Sequence, residues 1–244
     1  MNRTIIIIPS RMSASRLKGK PLLKINELPI ICHVLNKARE TGMESIVATE
    51  DKEIIKAVEE AGGRAVLTGK HNTGTDRIFE AFKKIEKKNV DYILNLQGDE
   101  PMIEPSDVVN LNKLMIKCDA DIGTLASEIK EDADLSNENI VKAITEKELE
   151  YNSFVKAVDF TRKGSLKKKH NIYHHIGIYC YKVSVLEKFV NLNQSRNEIE
   201  NRLEQFRALD NNIGINVALA KSAPIGVDTF EDYLALKKIM EYKS

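Results

Sequence analysis

Two apolar periods alternate along the first half of the chain. Residues 4–8 form a short β-branched run closed by Pro9, the mark of a strand buried on both faces as in a parallel sheet. From Pro29 to Glu40 the period lengthens: Ile30, Ile31, Val34, Leu35 and Ala38 recur at helical spacing, and Gly42 sits where a glycine ends a helix. The same reading predicts strands over 45–49, 64–67 and 91–96. It predicts helices over 52–61 and 75–88, then one that Ser106 or Asp107 would cap. Repeated βα units with short connections imply a mainly parallel sheet with helices on both faces. Such sheets bind ligands at the carboxyl ends of their strands, which directs attention to the loops after Ile8, Leu67 and Leu96.

After about residue 120 the rhythm changes. Strands are expected over 122–128, 140–145 and 175–181, and helices over 183–190 and 198–209. A late strand over 215–220 would rejoin the main sheet, and 229–242 would close the chain as a helix. We read 1–244 as one domain in which about 120–210 is a smaller mixed-sheet elaboration.

Composition narrows the setting. Hydrophobic residues are 42% and charged residues 30%, enough apolar material for a packed interior. With 37 basic against 36 acidic side chains the formal net charge is +1, so no global field points to nucleic acid or membrane, and any basic site is local. The apolar run at the start is far shorter than the roughly 20 residues of a membrane span, and no cleavable signal pattern follows it, so a cytoplasmic protein is expected. Cys32, Cys118 and Cys180 are scattered and odd in number, which indicates reduced thiols.

The loop after the first strand places Arg11, Arg16 and Lys20 together, three cations that suit a polyphosphate. It lacks the glycine spacing of a P-loop, and spacing alone does not separate a phosphate cradle from an ordinary basic loop. Past the strand at 91–96, Gln97-Gly98-Asp99-Glu100-Pro101 offers a carboxylate that can hold magnesium and an amide that can read a base edge, although Gly-Asp is also common turn chemistry. Asp228, ahead of the last helix, would complete a magnesium site if the fold brings it beside Asp99. The segment His71 to Arg77 sits at a helix start, where Thr75 is either an N-cap or part of a ligand site. On the strand at 175–181, alternation puts His175, Tyr179 and Tyr181 on one face.

Taken together, IIPSRMSASRLKGKPL (7–22), IVAT (46–49), HNTGTDR (71–77), LNLQGDEPMI (94–103), HHIGIYCY (174–181), LEQFRAL (203–209) and GVDTFED (226–232) resemble the CMP-Kdo synthetases, the 3-deoxy-manno-octulosonate cytidylyltransferases, in order and mutual spacing. The resemblance implies a Rossmann-like nucleotidyltransferase fold, usually homodimeric, whose elaboration serves sugar binding and dimerisation. It implies an enzyme that couples CTP and the acidic sugar Kdo to CMP-Kdo and pyrophosphate for lipopolysaccharide synthesis. Arg11 and Lys20 would then hold the triphosphate, and Asp99 and Asp228 would hold Mg2+. The loops bearing Pro9, Arg16, Thr73, Gly74, Arg77 and Gln97 would bind CTP, and Arg162, His175, Tyr179, Glu204 and Gln205 would line the sugar pocket. The chain departs from the family pattern at Ser10, usually alanine, at Lys18, usually proline, at Asn201, and over 163–166 after Arg162. These changes gather on the sugar side and leave the nucleotide side intact, and another ulosonic acid or a phosphonate is the alternative acceptor. A nucleotide-binding protein without turnover is the remaining alternative.

Overall fold

A computed structural model describes residues 3–13, 17–86, 89–164, 171–221 and 223–242. The chain divides into two compact units, Met1–Pro105 with Pro224–Ser244, and Ser106–Ala223. In the first, the β-branched run forms β1 (Thr4–Ser10), buried along nearly its whole length. A 3-10 turn (Lys20–Leu22) and a small hairpin, β2 (Lys24–Ile25) and β3 (Leu28–Pro29), lead into α1 (Ile30–Glu40). Then follow β4 (Glu44–Thr49), α2 (Lys52–Glu60), β5 (Ala65–Leu67), α3 (Gly74–Lys84) and β6 (Tyr92–Asn95). The larger strands pair in parallel in the order β5-β4-β1-β6, with Ile7 opposite Ile46 on one side and Asn95 on the other. A strand flanked on both sides and covered by α1 and α3 needs apolar side chains on both faces, which explains the unbroken isoleucine run.

The second unit begins with α4 (Pro105–Cys118), β7 (Ile122–Glu128), the short α5 (Asp132–Ser136), β8 (Lys142–Thr145) and β9 (Val155–Thr161). It continues through β10 (Ile172–Lys182), α6 (Val183–Val190), α7 (Arg196–Asn201), α8 (Gln205–Asp210) and β11 (Ile215–Leu219). Its sheet is mixed: β11 runs parallel to β7, while β10 is antiparallel to β7 and β8, and β9 is antiparallel to β8 and β11. The chain returns to the first unit with α9 (Phe230–Tyr242).

The expected elements differ from the fold in a few places, each with a local cause. The helix expected over 75–88 ends at Lys84, and Glu86 takes a left-handed φ of 48°. Neither Ser106 nor Asp107 caps α4, because Pro105 already occupies its first turn, and the Asp107 carboxylate accepts from the Lys221 backbone N–H at 3.0 Å. The single helix expected over 198–209 is two, separated by Arg202 at φ 54°. Its apolar period hid the break because buried Leu203 keeps the stripe continuous across it. Strand β9 escaped notice because its alternation is imperfect, with Asp159 and the exposed Val158 side by side. Among the described residues, no helix is long and apolar enough to cross a membrane.

Because Ile7 is fully buried at the centre of β1, Ile7→Ala is expected to cost about 2–5 kcal/mol of stability, measured by urea unfolding.

Candidate active site

Polar loops gather where β1, β5 and β6 end. They line one cavity of about 250 Å³, which Pro9, Arg11, Lys20, Thr73, Gly74, Arg77, Gln97, Asp99 and Asp228 share. Of the residues expected to bind nucleotide or metal, Arg16 alone lies outside the described residues.

The loop after β1 is pinned at both ends. The Met12 N–H donates to Asp51 Oδ2 at 2.7 Å, and the Gly19 N–H donates to Met12 O at 3.0 Å, closing the loop neck. Gly19 stands at φ 73°, a left-handed conformation that suits glycine, and it directs the chain into the 3-10 turn that Lys20 begins. Lys20 therefore enters the cavity from a fixed base. Its side chain is only 12% exposed, and Nζ reaches Asp99 Oδ2 at 2.6 Å, Val227 O at 2.6 Å and Asp228 Oδ1 at 3.5 Å. The Val227 N–H in turn donates to Asp99 O at 3.0 Å. Residues 99 and 228, far apart in sequence, thus meet around one cation.

Glu100 adds a third carboxyl. Burial first, then the charges of Asp99 and Asp228, push it up to about 8, against the pull of Lys20, so it is largely neutral at pH 7. Its Oε2 is buried without a hydrogen-bond partner among the described residues. Sequence reading passed over this residue, because nothing in a Gly-Asp-Glu turn says which carboxyl faces inward. It also could not register the Val227 carbonyl, a backbone group.

Asp99 and Asp228 fit a divalent cation in charge and in oxygen chemistry. Among the described residues no cluster of three or more histidine, cysteine or acidic side chains is poised to hold a metal. A hard cation here would take its remaining ligands from substrate phosphates and water, which is the habit of magnesium.

Arg11 also lines the cavity, and its Nη1 donates to His71 O at 3.4 Å. The His71 ring meets Glu80, and Glu80 also accepts from the Gly69 N–H. Burial would raise the Glu80 carboxyl, but hydrogen bonds from Lys84, His71 and Gly69 hold it at about 2. Arg77 lines the cavity, yet its guanidinium is held by the protein: it donates to Thr68 Oγ1 at 2.7 Å and to Glu50 at 3.0 Å. Thr73 rather than Thr75 caps α3, accepting from the Asp76 N–H at 3.1 Å. Gly98 passes so near β1 that a Cβ there would lie 2.7 Å from Pro9 O. That approach lets the loops after β1 and β6 meet.

In the second unit, a ring contact links two of the expected sugar residues, His175 and Tyr179. His175 is buried, with Nε2 3.0 Å from Thr124 Oγ1, and its ring lies 5.0 Å from Phe160 and 5.5 Å from Tyr179. Burial, aided by His174 and Arg162, lowers its imidazole to about 3, so it is neutral at physiological pH. Burial, with Glu204 nearby, pushes the Tyr179 phenol well up. Arg162 is exposed and donates to Asn139 O at 3.0 Å. Glu204 precedes α8, with Oε1 3.6 Å from the Arg207 guanidinium, and Arg207 makes a buried bidentate pair with Glu198 at 2.9 and 2.6 Å. Gln205 is buried, and its Nε2 has no hydrogen-bond partner among the described residues. Sequence reading had no signal for Arg207, whose partner lies in another helix.

Two predictions follow from this geometry. Gly98→Ala is expected to cost about 1–3 kcal/mol in urea unfolding, because the added methyl meets backbone that cannot yield cheaply. The lowered imidazole of His175 makes the unfolded chain bind one proton more than the folded chain between about pH 3 and the ordinary histidine range. Stability is therefore lost as pH falls through that window, and His175→Gln should shallow the slope of unfolding free energy against pH by up to about one proton.

Residues 5–217 match the model of a protein family described as cytidylyltransferase. A 3-deoxy-manno-octulosonate cytidylyltransferase of Nitrobacter hamburgensis is 39% identical over 98% of this chain and 93% of its own. Another, from Thermodesulfovibrio yellowstonii, is 40% identical over 97% and 98%. A solved CMP:2-keto-3-deoxy-manno-octonic acid synthetase in complex with CTP superposes with a TM-score of 0.90 at 33% identity over the whole of both chains. A UDP-glucose pyrophosphorylase, at 14% identity and a TM-score of 0.71, shares the fold alone. Matched along nearly its whole length by enzymes of one activity, the chain belongs to the 3-deoxy-manno-octulosonate cytidylyltransferase family of nucleotidyltransferases.

Proposed function

We propose that the protein transfers CMP from CTP to Kdo in the cytosol, with Mg2+ as cofactor and as a homodimer, releasing pyrophosphate. The observation that carries this reading is the meeting of Asp99, Asp228 and Lys20 in a cavity that Arg11 also lines. Two carboxylates suit a divalent cation, and the two basic side chains suit the β- and γ-phosphates. Magnesium held by Asp99 and Asp228 would neutralise phosphate charge and lower the repulsion felt by the incoming oxygen. Lys20 and Arg11 grip the leaving pyrophosphate, while Gln97, with a donor and an acceptor on one amide, suits a base edge. The anomeric hydroxyl of the acceptor attacks the α-phosphorus in line. The new oxygen–phosphorus bond forms as the bridge to the β-phosphate breaks, and the hydroxyl proton passes to solvent.

The sugar acid belongs with His175, Tyr179, Glu204, Gln205 and Arg162. A neutral imidazole and an un-ionised phenol can donate and accept toward hydroxyls, and the guanidinium suits the carboxylate. The departures over 163–166 favour testing other ulosonic acids and a phosphonate beside Kdo.

Pyrophosphate release should require CTP, Mg2+ and an acidic sugar together, stop with a chelator and return with added Mg2+. Asp99→Asn and Asp228→Asn are each expected to lower kcat/KM by about 10²–10³-fold, the usual loss when a transition-state charge clamp is broken. Release that survives either substitution, or that no acid in the panel supports, would defeat this reading.

A further inference from the structure

We propose that Asp51 is a positioning residue of the nucleotide site: its carboxylate fixes the neck of the loop after β1, so that Arg11 is held ready for the β- and γ-phosphates of a nucleoside triphosphate. The inference rests on the reading of the cavity as a CTP site. The parallel ladder between β1 and β4 ends with Ser10 opposite Thr49. Two residues beyond each of these, Asp51 Oδ2 accepts from the Met12 N–H at 2.7 Å, so a side chain continues the tie where the backbone ladder stops. Met12 O accepts from the Gly19 N–H at 3.0 Å, which makes Met12 the point where the loop closes. Arg11 directly precedes Met12 and Lys20 directly follows Gly19, and both cations line the cavity, whereas Asp51 stands outside its lining.

The carboxylate takes this place instead of a more ordinary one. Asp51 is the residue ahead of α2, where an aspartate usually accepts from the first backbone N–H groups of the helix, yet its side chain makes no such bond. Its oxygen goes to a residue 39 positions earlier in the chain. The base it stands on is firm. The Asp51 N–H donates to Oγ1 of the fully buried Thr49 at 3.1 Å, and the neighbouring Glu50 accepts from the buried Arg77 guanidinium at 3.0 Å. Lys20 has anchors of its own in Asp99 and the Val227 carbonyl. The cation that depends most on the neck is therefore Arg11, an exposed residue that reaches His71 O at 3.4 Å. A long cationic side chain must be ordered when a triphosphate binds, and holding its backbone beforehand reduces the ordering that binding requires.

The test is Asp51→Ser, because serine suits the position ahead of a helix as well as aspartate does, while its hydroxyl is too short to reach the Met12 N–H. Binding of CTP and of CMP is read by titration calorimetry in the absence of any sugar. CTP binding should weaken about tenfold, the order of one charge-assisted contact, whereas CMP, which lacks the β- and γ-phosphates, should bind as it does to wild type. Asp51→Asn, which keeps an acceptor oxygen at the same reach, should restore the wild-type affinity for CTP. Should Asp51→Ser not fold, Asp51→Glu takes its place with the same expected pattern, since it keeps the charge but moves the oxygen by one methylene. Equal CTP affinity in wild type and variant overturns the inference and leaves the CTP reading standing. A parallel loss for CTP and CMP also overturns it, since the residue would then serve the fold of the whole site, and so does an Asp51→Asn variant as weak as Asp51→Ser. If wild type itself fails to bind CTP, the reading of the site and the role of Asp51 fall together.

Discussion

The Lys20 ammonium draws together three segments from distant parts of the sequence: the loop after β1, the turn after β6 and the irregular stretch before α9. A lysine this little exposed has lost much of its hydration, and only close negative partners make that tolerable. Asp99 and the Val227 carbonyl supply them at short range, with Asp228 behind. The carboxylates face the opposite difficulty, since two of them beside a third carboxyl would repel without a cation between them. The burial of Lys20 is thus conditional on these carboxylates, which themselves stay partly exposed. Burial first, and then the same crowding, push the Glu100 carboxyl up.

That cluster depends on the parallel sheet beneath it. Parallel strands deliver all their carboxyl ends to one edge, so loops separated by dozens of residues arrive side by side. The isoleucine run of β1 buries both of its faces and fixes where Pro9, Ser10 and Arg11 emerge. The near contact of residue 98 with the Pro9 carbonyl shows how little room separates the loops after β1 and β6. The site is therefore held by the rigid framework, and its loops are tied back to it by Asp51 and Glu80.

The second unit solves a different problem, that of burying polar side chains without ionising them. His175 and Tyr179 belong to a run of ring contacts that continues through Tyr181 to Phe189, over which Arg207 sits at 4.8 Å. Apolar surroundings keep the imidazole and phenol neutral, a state in which both can donate and accept hydrogen bonds. Arg207 is satisfied mainly by Glu198, so Glu204 feels only part of its charge. The capping box at Ser195 and the left-handed Arg202 set the corner between α7 and α8 that makes this three-way arrangement possible.

The sequence by itself determined the alternation of strand and helix in the first unit, the position of β1 and the loops worth examining. Each of these is written in periods of two or about four residues, short enough for local pattern to carry the information. It also carried the family resemblance, because the order and spacing of whole motifs survive without knowledge of the fold. Only the tertiary structure decided that residues 99 and 228 share one cation, since strand order is not encoded in any local window. It likewise decided that Arg77 is spoken for by Glu50 and Thr68, that a continuous apolar stripe is broken at Arg202, and that the Ser10 oxygen is buried without a partner among the described residues. Such facts depend on which distant atoms surround a side chain, and desolvation and pairing are properties of that neighbourhood rather than of the residue.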